Sequence, residues 1–394
     1  LRRVCPAIGL LLLLASCQPQ PEAAIAPERS RSCLESYDAA VDYFPHKIQT
    51  QHAAGFEVEY HNHYKVVTVR NPWRGATETF RYVLVQCGAP TPEDVAGAQV
   101  VEVPVRSAIA LSTTHLPHFA KLDLLDRLVG VSRFRQVNTP AVREKIDRGE
   151  LVETGSGSTL NVEGVLATRP DLVLTFGTGN AETDSHPKLL ELGIPVAIVS
   201  EYMESSPLGR AEWLKFTALF FNAEKAATEV FAEIDRQYEA TRQLVQNVDR
   251  RPTVFTGFSY NGTWFVPGGQ SYVAQFLDDA GADYLWADRD TIGSIPLDFE
   301  AVFDRAVEAE YWLNGSQEWR TRADAIARDD RYGRFQALQE SRLFNNDARL
   351  NPSGGNDYWE SGMVNPHVVL ADLIAMFHPE LLPDRELVYY RRLD

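Results

Sequence analysis

The sequence predicts an α/β protein of two Rossmann-like lobes with mainly parallel sheets, joined by one long helix and preceded by a β-rich extension. Three observations predict it. From residue 100 onward, short apolar runs alternate with amphipathic stretches, the pattern of strands and helices in a parallel sheet. A local pattern then recurs. LNVEGVLATRPDLVLTFG at 160–177 and LDFEAVFDRAVEAEYWLNG at 297–315 each set one acid, Glu163 or Glu300, near the start of a helix that leads into an apolar strand. Between the copies lies the longest helical periodicity in the chain, roughly 207–248.

Residues 1–17, LRRVCPAIGLLLLLASC, read as a signal peptide. Arg2 and Arg3 precede an apolar run from Ala7 to Leu14, far short of the ~20 residues of a membrane span. Leu14-Ala15-Ser16-Cys17 resembles the bacterial lipobox, in which the cysteine is acylated and the chain cut just before it. Cys17 is therefore the expected lipidation site and the membrane the expected anchorage. Residues 18–33 are rich in Pro, Ala, Glu, Arg and Ser and read as a flexible tether. Cys5 leaves with the signal, so Cys33 and Cys87 remain. They are either a disulfide of an oxidising compartment or two buried thiols.

Residues 34–205 form the first lobe. Its opening segment, 34–95, is the β-rich extension. FEVEYHNHYKVVTVRNP and ETFRYVLVQCG read as a hairpin turning at Asn71-Pro72-Trp73-Arg74-Gly75, on the edge of the domain that follows. VVEVPVRSAIALSTTH is strand-like, and its Ser-Thr-Thr end caps a helix over 116–128. Strand LVGVS, the Glu163 helix, strand LVLTFG, helix 184–193 and strand IPVAIVS complete the lobe. Segment 206–250 is the linking helix, with Pro207 suited to its first turn and Asn222 marking a kink or break. If continuous, about 40 residues at 1.5 Å rise make a rod of about 60 Å. The alternative is two ordinary helices of one bundle. Residues 251–394 form the second lobe. Strand PTVFTGFS, the Gly-rich loop SYNGTWFVPGGQS, a helix from Tyr272, the Glu300 helix and strand EYWLNG lead to a polar-aromatic loop and a final helix.

Composition and motifs narrow the function. A net charge of −16 without a clustered Lys/Arg patch argues against nucleic acid. His61/His63 and His115/His118 have the spacing of metal ligands, but no nearby acid or cysteine completes a tetrahedral set. Gly155-Ser156-Gly157-Ser158 lacks the lysine of a P-loop and reads as a loop. No nucleophile, base and orienter assemble, so no catalytic residue is assigned and the chain is not read as an enzyme. The aromatics point instead to recognition. Tyr260, Trp264, Tyr358 and Trp359 fall in Gly/Ser/Asn-rich loops of the second lobe, and Tyr202 and Phe134 at strand ends of the first, with about half expected to pack beneath the loops. His115 also ends a strand, where a parallel sheet places its ligands. Arg133 and Arg210 suit an anionic ligand, although Arg210 with Glu212 equally suits a helix-start ion pair.

SAIALSTTH, LLDRLVGVS, LNVEGVLATRPDLVL, LLELGIPVAIVS, GQSYVAQFLDDAGADYLWAD and PLDFEAVFDRA together resemble the periplasmic substrate-binding proteins of iron-siderophore, haem and vitamin B12 importers. The resemblance spans roughly 100–394, and 34–95 resembles an extension of longer relatives. It implies a ligand held between the lobes and a small closure, because a helix resists hinging. Glu163 and Glu300 would meet arginines of an ABC importer permease, setting register more than affinity. The ligand-binding candidates are His115, Arg133, Tyr202, Tyr260, Trp264, Tyr358 and Trp359. The leading expectation is a monomeric, lipid-anchored protein of the periplasm or cell surface. It would have no cofactor of its own and would capture a bulky small molecule, a ferric siderophore. A corrinoid or haem binder is the alternative, with His115, Tyr202 and Met203 as axial candidates for haem. A metal-dependent enzyme or metallochaperone on the same fold is the more distant one.

Overall fold

A computed structural model describes residues 33–394. Cys17, the signal segment and nearly all of the tether lie outside the described residues. Cys33 is bonded to Cys87, so the pair is a disulfide. It closes a loop of 54 residues, which by chain entropy is worth about 4 kcal/mol.

The extension is more than a hairpin. β1 (Phe56–Tyr60), β2 (Tyr64–Val69), β3 (Phe80–Gln86) and β4 (Gln99–Val103) form a sheet in that order, with β3 and β4 parallel. FEVEYHNHYKVVTV is thus two strands turning at 61–63, and the Asn71–Gly75 turn joins β2 to β3. The expected strand from residue 100 to the Ser-Thr-Thr cap is likewise two strands. β4 ends before Pro104, and the chain then crosses into the first lobe.

That lobe has the sheet order β7-β6-β5-β8-β9, all parallel, from β5 (Ala108–Ala110), β6 (Leu128–Val131), β7 (Val152–Glu153), β8 (Leu172–Thr175) and β9 (Val196–Ile198). Helices α1 (Leu116–Lys121), α2 (Pro140–Asp147), α3 (Val162–Thr168) and α4 (His186–Glu191) connect the strands. The free edge of β9 is covered by the extension, because Val196 N–H donates to Gln99 Oε1 (2.9 Å) and Ile198 N–H to the Tyr82 hydroxyl (2.9 Å).

The segment expected as one rod is two helices, α5 (Pro207–Leu219) and α6 (Glu224–Arg242), packed against each other. The break has a clear cause. Asn222 takes a left-handed conformation (φ 51°), and the fully buried Lys65 of β2 staples both ends of the break. Its Nζ donates to Leu219 O (2.5 Å), Asn222 Oδ1 (2.9 Å) and Glu224 Oε1 (2.6 Å). A cation at the C-terminus of α5 complements the helix dipole. All 13 residues of α5 are buried, so it is a core helix rather than an exposed strut. Trp213, Phe216 and Phe220 pack there against Phe56 and Tyr82 of the extension, within one apolar cluster that continues into the second lobe.

The second lobe repeats the first. β10 (Thr253–Thr256), β11 (Ser259–Tyr260), β12 (Thr263–Pro267), β13 (Asp283–Tyr284), β14 (Ser294–Leu297), β15 (Tyr311–Leu313), β16 (Leu343–Asn345) and β17 (Arg391–Arg392) form two sheets. The main one, β13-β10-β15-β16-β17, is parallel except for β17, and its first four strands match β6-β5-β8-β9 in order. β11, β12 and β14 make a small antiparallel sheet where a loop was expected. α7 (Tyr272–Asp279) and α8 (Phe299–Ala306) follow β12 and β14.

The lobes are sewn together along one side. Glu360 of the second lobe is fully buried and accepts from Asn138 N–H (2.7 Å), Thr139 N–H (2.7 Å) and Thr139 Oγ1 (2.6 Å) of the first. The Asn351 side-chain amide donates to the carbonyls of Arg135 (3.0 Å) and Val137 (3.1 Å).

The Lys65 staple gives the first prediction. Lys65→Met leaves Glu224 buried and unpaired, so it should lower unfolding stability by about 3–5 kcal/mol. Adding Glu224→Gln should restore part of that loss. Denaturant unfolding of the two variants checks it, and equal loss in both would contradict the staple.

Candidate functional site

A cavity of about 990 Å³ lies in the groove between the lobes. Its second-lobe wall is built at the carboxyl ends of the parallel strands, where such sheets place ligands. Thr256 ends β10, Asn314 follows β15 and Asn346 follows β16, and all three line the cavity. Asn314 sits in the left-handed region (φ 53°), which asparagine tolerates. Its Oδ1 is buried and accepts no hydrogen bond among the described residues, which leaves an acceptor available to a ligand donor. Tyr272, Phe265 and Trp359 add aromatic surface.

The first-lobe wall is made largely by the extension. Trp73 is 7% exposed and lies over the loop that leaves β8. Side chains on Gly177 or Gly179 would come within 2.5 Å or 2.7 Å of the indole, so bare backbone is required there. Tyr202 fixes the same turn by donating its hydroxyl to Gly177 O (2.6 Å) and Pro72 O (3.3 Å). Burial, followed by the charges of Glu201 and Asp184, pushes the Tyr202 phenol up to about 12, so it stays a neutral donor at physiological pH. Arg70, Arg74, Met203 and Glu204 complete the wall.

Among the ligand candidates, Tyr202 and Trp359 line the cavity. Trp264 does not. It is fully buried on β12 and donates Nε1–H to Thr256 O (2.8 Å). Its Gly/Asn-rich surroundings are a tight hairpin, with Asn261 (φ 50°) and Gly262 (φ 83°) both left-handed. Asn-Gly between apolar runs is the hairpin signal that placed Trp264 on a strand. Tyr358 is buried against Tyr389 and Tyr390, and burial holds its phenol well above the ordinary range. His115 is fully buried away from the cavity, and neither ring nitrogen has a hydrogen-bond partner among the described residues. Burial, then the neighbouring His118, lowers its pKa to about 3, so the ring is neutral. His118 is also buried, with Nδ1 2.8 Å from Thr217 Oγ1. Arg133 bonds Thr159 Oγ1 (3.1 Å), and Tyr260 is 59% exposed; both lie outside the cavity lining. Arg210 does not pair with Glu212. It lies over the Tyr272 ring (4.2 Å) and faces Glu201 (3.9 Å), while Glu212 pairs with Lys215 (2.6 Å). Sequence reasoning missed Trp73, Arg74, Asn314 and Asn346. Asn314 and Asn346 directly follow predicted or observed strand ends, which is the signal that marks them.

Glu163 and Glu300 occupy matching places. Each is the second residue of its helix, α3 or α8, behind a side-chain cap. Gly164 N–H donates to Asn161 Oδ1 (3.0 Å), and Ala301 N–H donates to Asp298 Oδ1 (2.7 Å). Both acids are exposed. Glu300 touches Arg331 (3.3 Å) in a solvent-facing pair. Among the described residues no group of three or more His, Cys, Asp or Glu is arranged to hold a metal ion, and no helix is long and apolar enough to cross a membrane.

A model of the periplasmic binding protein family matches residues 109–350, more than half of the chain. The chain belongs to the periplasmic binding protein family. It is 28% identical over 328 residues to the uncharacterized lipoprotein MJ0872 of Methanocaldococcus jannaschii, covering 79% of this chain and 80% of that protein. It is 22% identical over 237 residues to YvrC of Bacillus subtilis, an uncharacterized ABC transporter substrate-binding lipoprotein, covering 59% of this chain and 70% of that one. Among solved structures, a periplasmic heme binding protein of Pseudomonas aeruginosa superposes with a TM-score of 0.54 at 19% identity, over 74% of this chain and 98% of that chain. A possible iron-binding protein of Staphylococcus epidermidis gives 0.55 at 16%, over 70% and 99%. At these identities the structural likeness is one of fold.

The site also predicts a spectroscopic result. Of seven tryptophans, Trp359 is 39% exposed and the others at most 7%. Trp359→Phe should remove most of the acrylamide-quenchable fluorescence, while Trp264→Phe leaves the quenchable fraction intact. The reverse outcome would place Trp264 in the groove.

Proposed function

We propose that the chain is the extracytoplasmic, lipid-anchored ligand-binding component of an ABC importer, and that it captures a ferric siderophore in the groove between its lobes. The observation that carries this reading is the cavity itself. It lies between matched lobes of the periplasmic binding protein fold and has the size of a small-molecule site. Its lining offers amides, hydroxyls, aromatic faces and arginines. Such a surface suits a chelate that brings its own metal ligands, and it serves binding rather than turnover. Haem is the second reading, because Tyr202 and Met203 both line the cavity. The Tyr202 hydroxyl, however, is engaged with two backbone carbonyls. The lipid anchor rests on Cys17 in its lipobox-like setting and on relatives named as lipoproteins.

Glu163 and Glu300 would be the permease handles, one per lobe. Their exposure and equivalent positions behind matching caps support that role. Glu300 would have to exchange Arg331 for a permease arginine, a low barrier for an exposed pair. Glu163→Lys combined with Glu300→Lys should abolish siderophore-iron uptake in cells while leaving ligand affinity of the purified protein unchanged. Loss of ligand binding in the folded double variant would overturn the handle assignment. Binding of neither ferric siderophores nor haem by wild-type protein would overturn the capture reading.

A further inference from the structure

One buried cation stands directly behind the groove. Arg210, in the first turn of α5, is 6% exposed and does not line the cavity. A buried guanidinium is ordinarily held by a carboxylate through two parallel hydrogen bonds. This one is not. Its ion-pair partner among the described residues, Glu201, places Oε1 at 3.9 Å from Nη2, too far for a hydrogen bond. Arg210 Nε and Glu201 Oε2 are both buried without a hydrogen-bond partner among the described residues.

What the guanidinium does cover is the face of the Tyr272 ring, with Cζ 4.2 Å from the ring centroid. Tyr272 opens α7 of the second lobe and lines the cavity. Glu201 immediately precedes Tyr202 and Met203, which line the cavity from the first lobe. Arg210 therefore sits at the join of the two walls. An aromatic of one wall lies on one side of it, and the acid at the root of the other wall lies on the other.

We propose that Arg210 is a positioning residue of the groove: it does not touch the ligand, but it fixes the Tyr272 ring as a rigid surface for the ligand to pack on, while Glu201 holds the guanidinium from the first-lobe side. The proposal rests on the groove being the ligand site and adds how its second-lobe wall is held. A cation over a ring face is attracted by the ring quadrupole, more strongly when it is desolvated. Arg210 and Glu201 are both withdrawn from water, so salt screens these attractions little. Burying the pair without direct hydrogen bonds is costly, and the ring contact offsets part of that cost. Ordering a side chain costs binding free energy when the ligand must do it. A ring already pinned from behind spares the ligand that cost.

The test uses the full chain. Glu201→Gln combined with Arg210→Met removes both charges together, so neither is left buried alone. Fluorotyrosine labelling reads the ring without any ligand. The Tyr272 fluorine signal, identified by its loss in Tyr272→Phe, should narrow in the paired variant as the ring gains motion. Both proteins are then titrated by calorimetry with a ferric tris-hydroxamate, a ferric tris-catecholate and haem. The probe that wild-type protein binds should lose about 2- to 10-fold in affinity in the paired variant. Made on Tyr272→Leu, the paired change should cost nothing further. Made on Tyr272→Phe, which keeps the ring, it should cost as much as in wild type. A purely stabilising Arg210 would lower the thermal midpoint without this dependence on residue 272. An unaltered fluorine signal, no affinity loss, or a loss equally large on Tyr272→Leu overturns this inference and leaves the capture reading intact. Binding of none of the three probes by wild-type protein overturns the capture reading and this inference with it.

Discussion

Two buried carboxylates hold the extension in place, and the groove exists because of them. Glu212 accepts from the backbone N–H groups of Gln51, His52 and Ala53, and Glu204 from those of Ala54 and Gly55. Five consecutive donors thus close on two side chains, one shortly before α5 and one in its second turn. Burying a carboxylate costs several kcal/mol unless its lone pairs are satisfied. Hydrogen bonds to a charged group return about 1.5–3 kcal/mol each, and Lys215 neutralises Glu212 directly. The arrangement is stable only when complete, so residues 51–55 dock as one piece. β1 begins at the next residue, Phe56, and β2 runs back to the turn that carries Trp73 and Arg74. The position of the cavity wall is therefore inherited from two acids, of which Glu204 itself lines the cavity.

The same logic applies to the contacts that tie the two lobes together. No single unbroken rod joins the lobes. α5 is buried on every side and turns back into α6 at a break that Lys65 fixes from outside the helix pair. The second constraint is the seam at Glu360. Burial pushes that carboxyl above its usual range, and the Thr139 and Asn138 donors pull the other way. Opening the groove on that side would strip a buried acid of its donors, so the seam opposes separation of the lobes there.

Much of this was legible in the chain, and the exceptions share a cause. The alternation of apolar runs located both lobe sheets, and the repeated acid before an apolar helix picked out α3 and α8. These signals are local, written within about two turns of helix. Asn222 was visible as a breaking point, but its partner Lys65 lies far away in the chain, on β2, and only the fold brings it there. Tyr358 reads as a loop aromatic because Tyr389 and Tyr390, which cover it, arrive from the end of the chain. Trp264 was misplaced for a different reason. Its Gly and Asn neighbours suggested an open loop, although Asn261-Gly262 carries the dihedral preference of a two-residue hairpin. The 71–75 turn was recognised as a turn, but its destination depended on the Glu204 and Glu212 contacts, which no local pattern encodes.

The two lobes are alike on the outside and unlike within. Duplication of the strand-helix unit repeats the capped helix and its exposed acid, so the outer face carries one equivalent feature per lobe. The inner face breaks the symmetry. In the second lobe the carboxyl strand ends are bare and present Thr256, Asn314 and Asn346 directly to the groove. In the first lobe Trp73 covers the corresponding place at the end of β8, and the extension supplies much of the cavity wall. A connection over the surface tolerates change more readily than a strand end in a close-packed sheet, because fewer buried contacts move with it. The asymmetry of the cavity walls therefore comes from the segment outside the repeated core, while the core carries the two outer features that the lobes share.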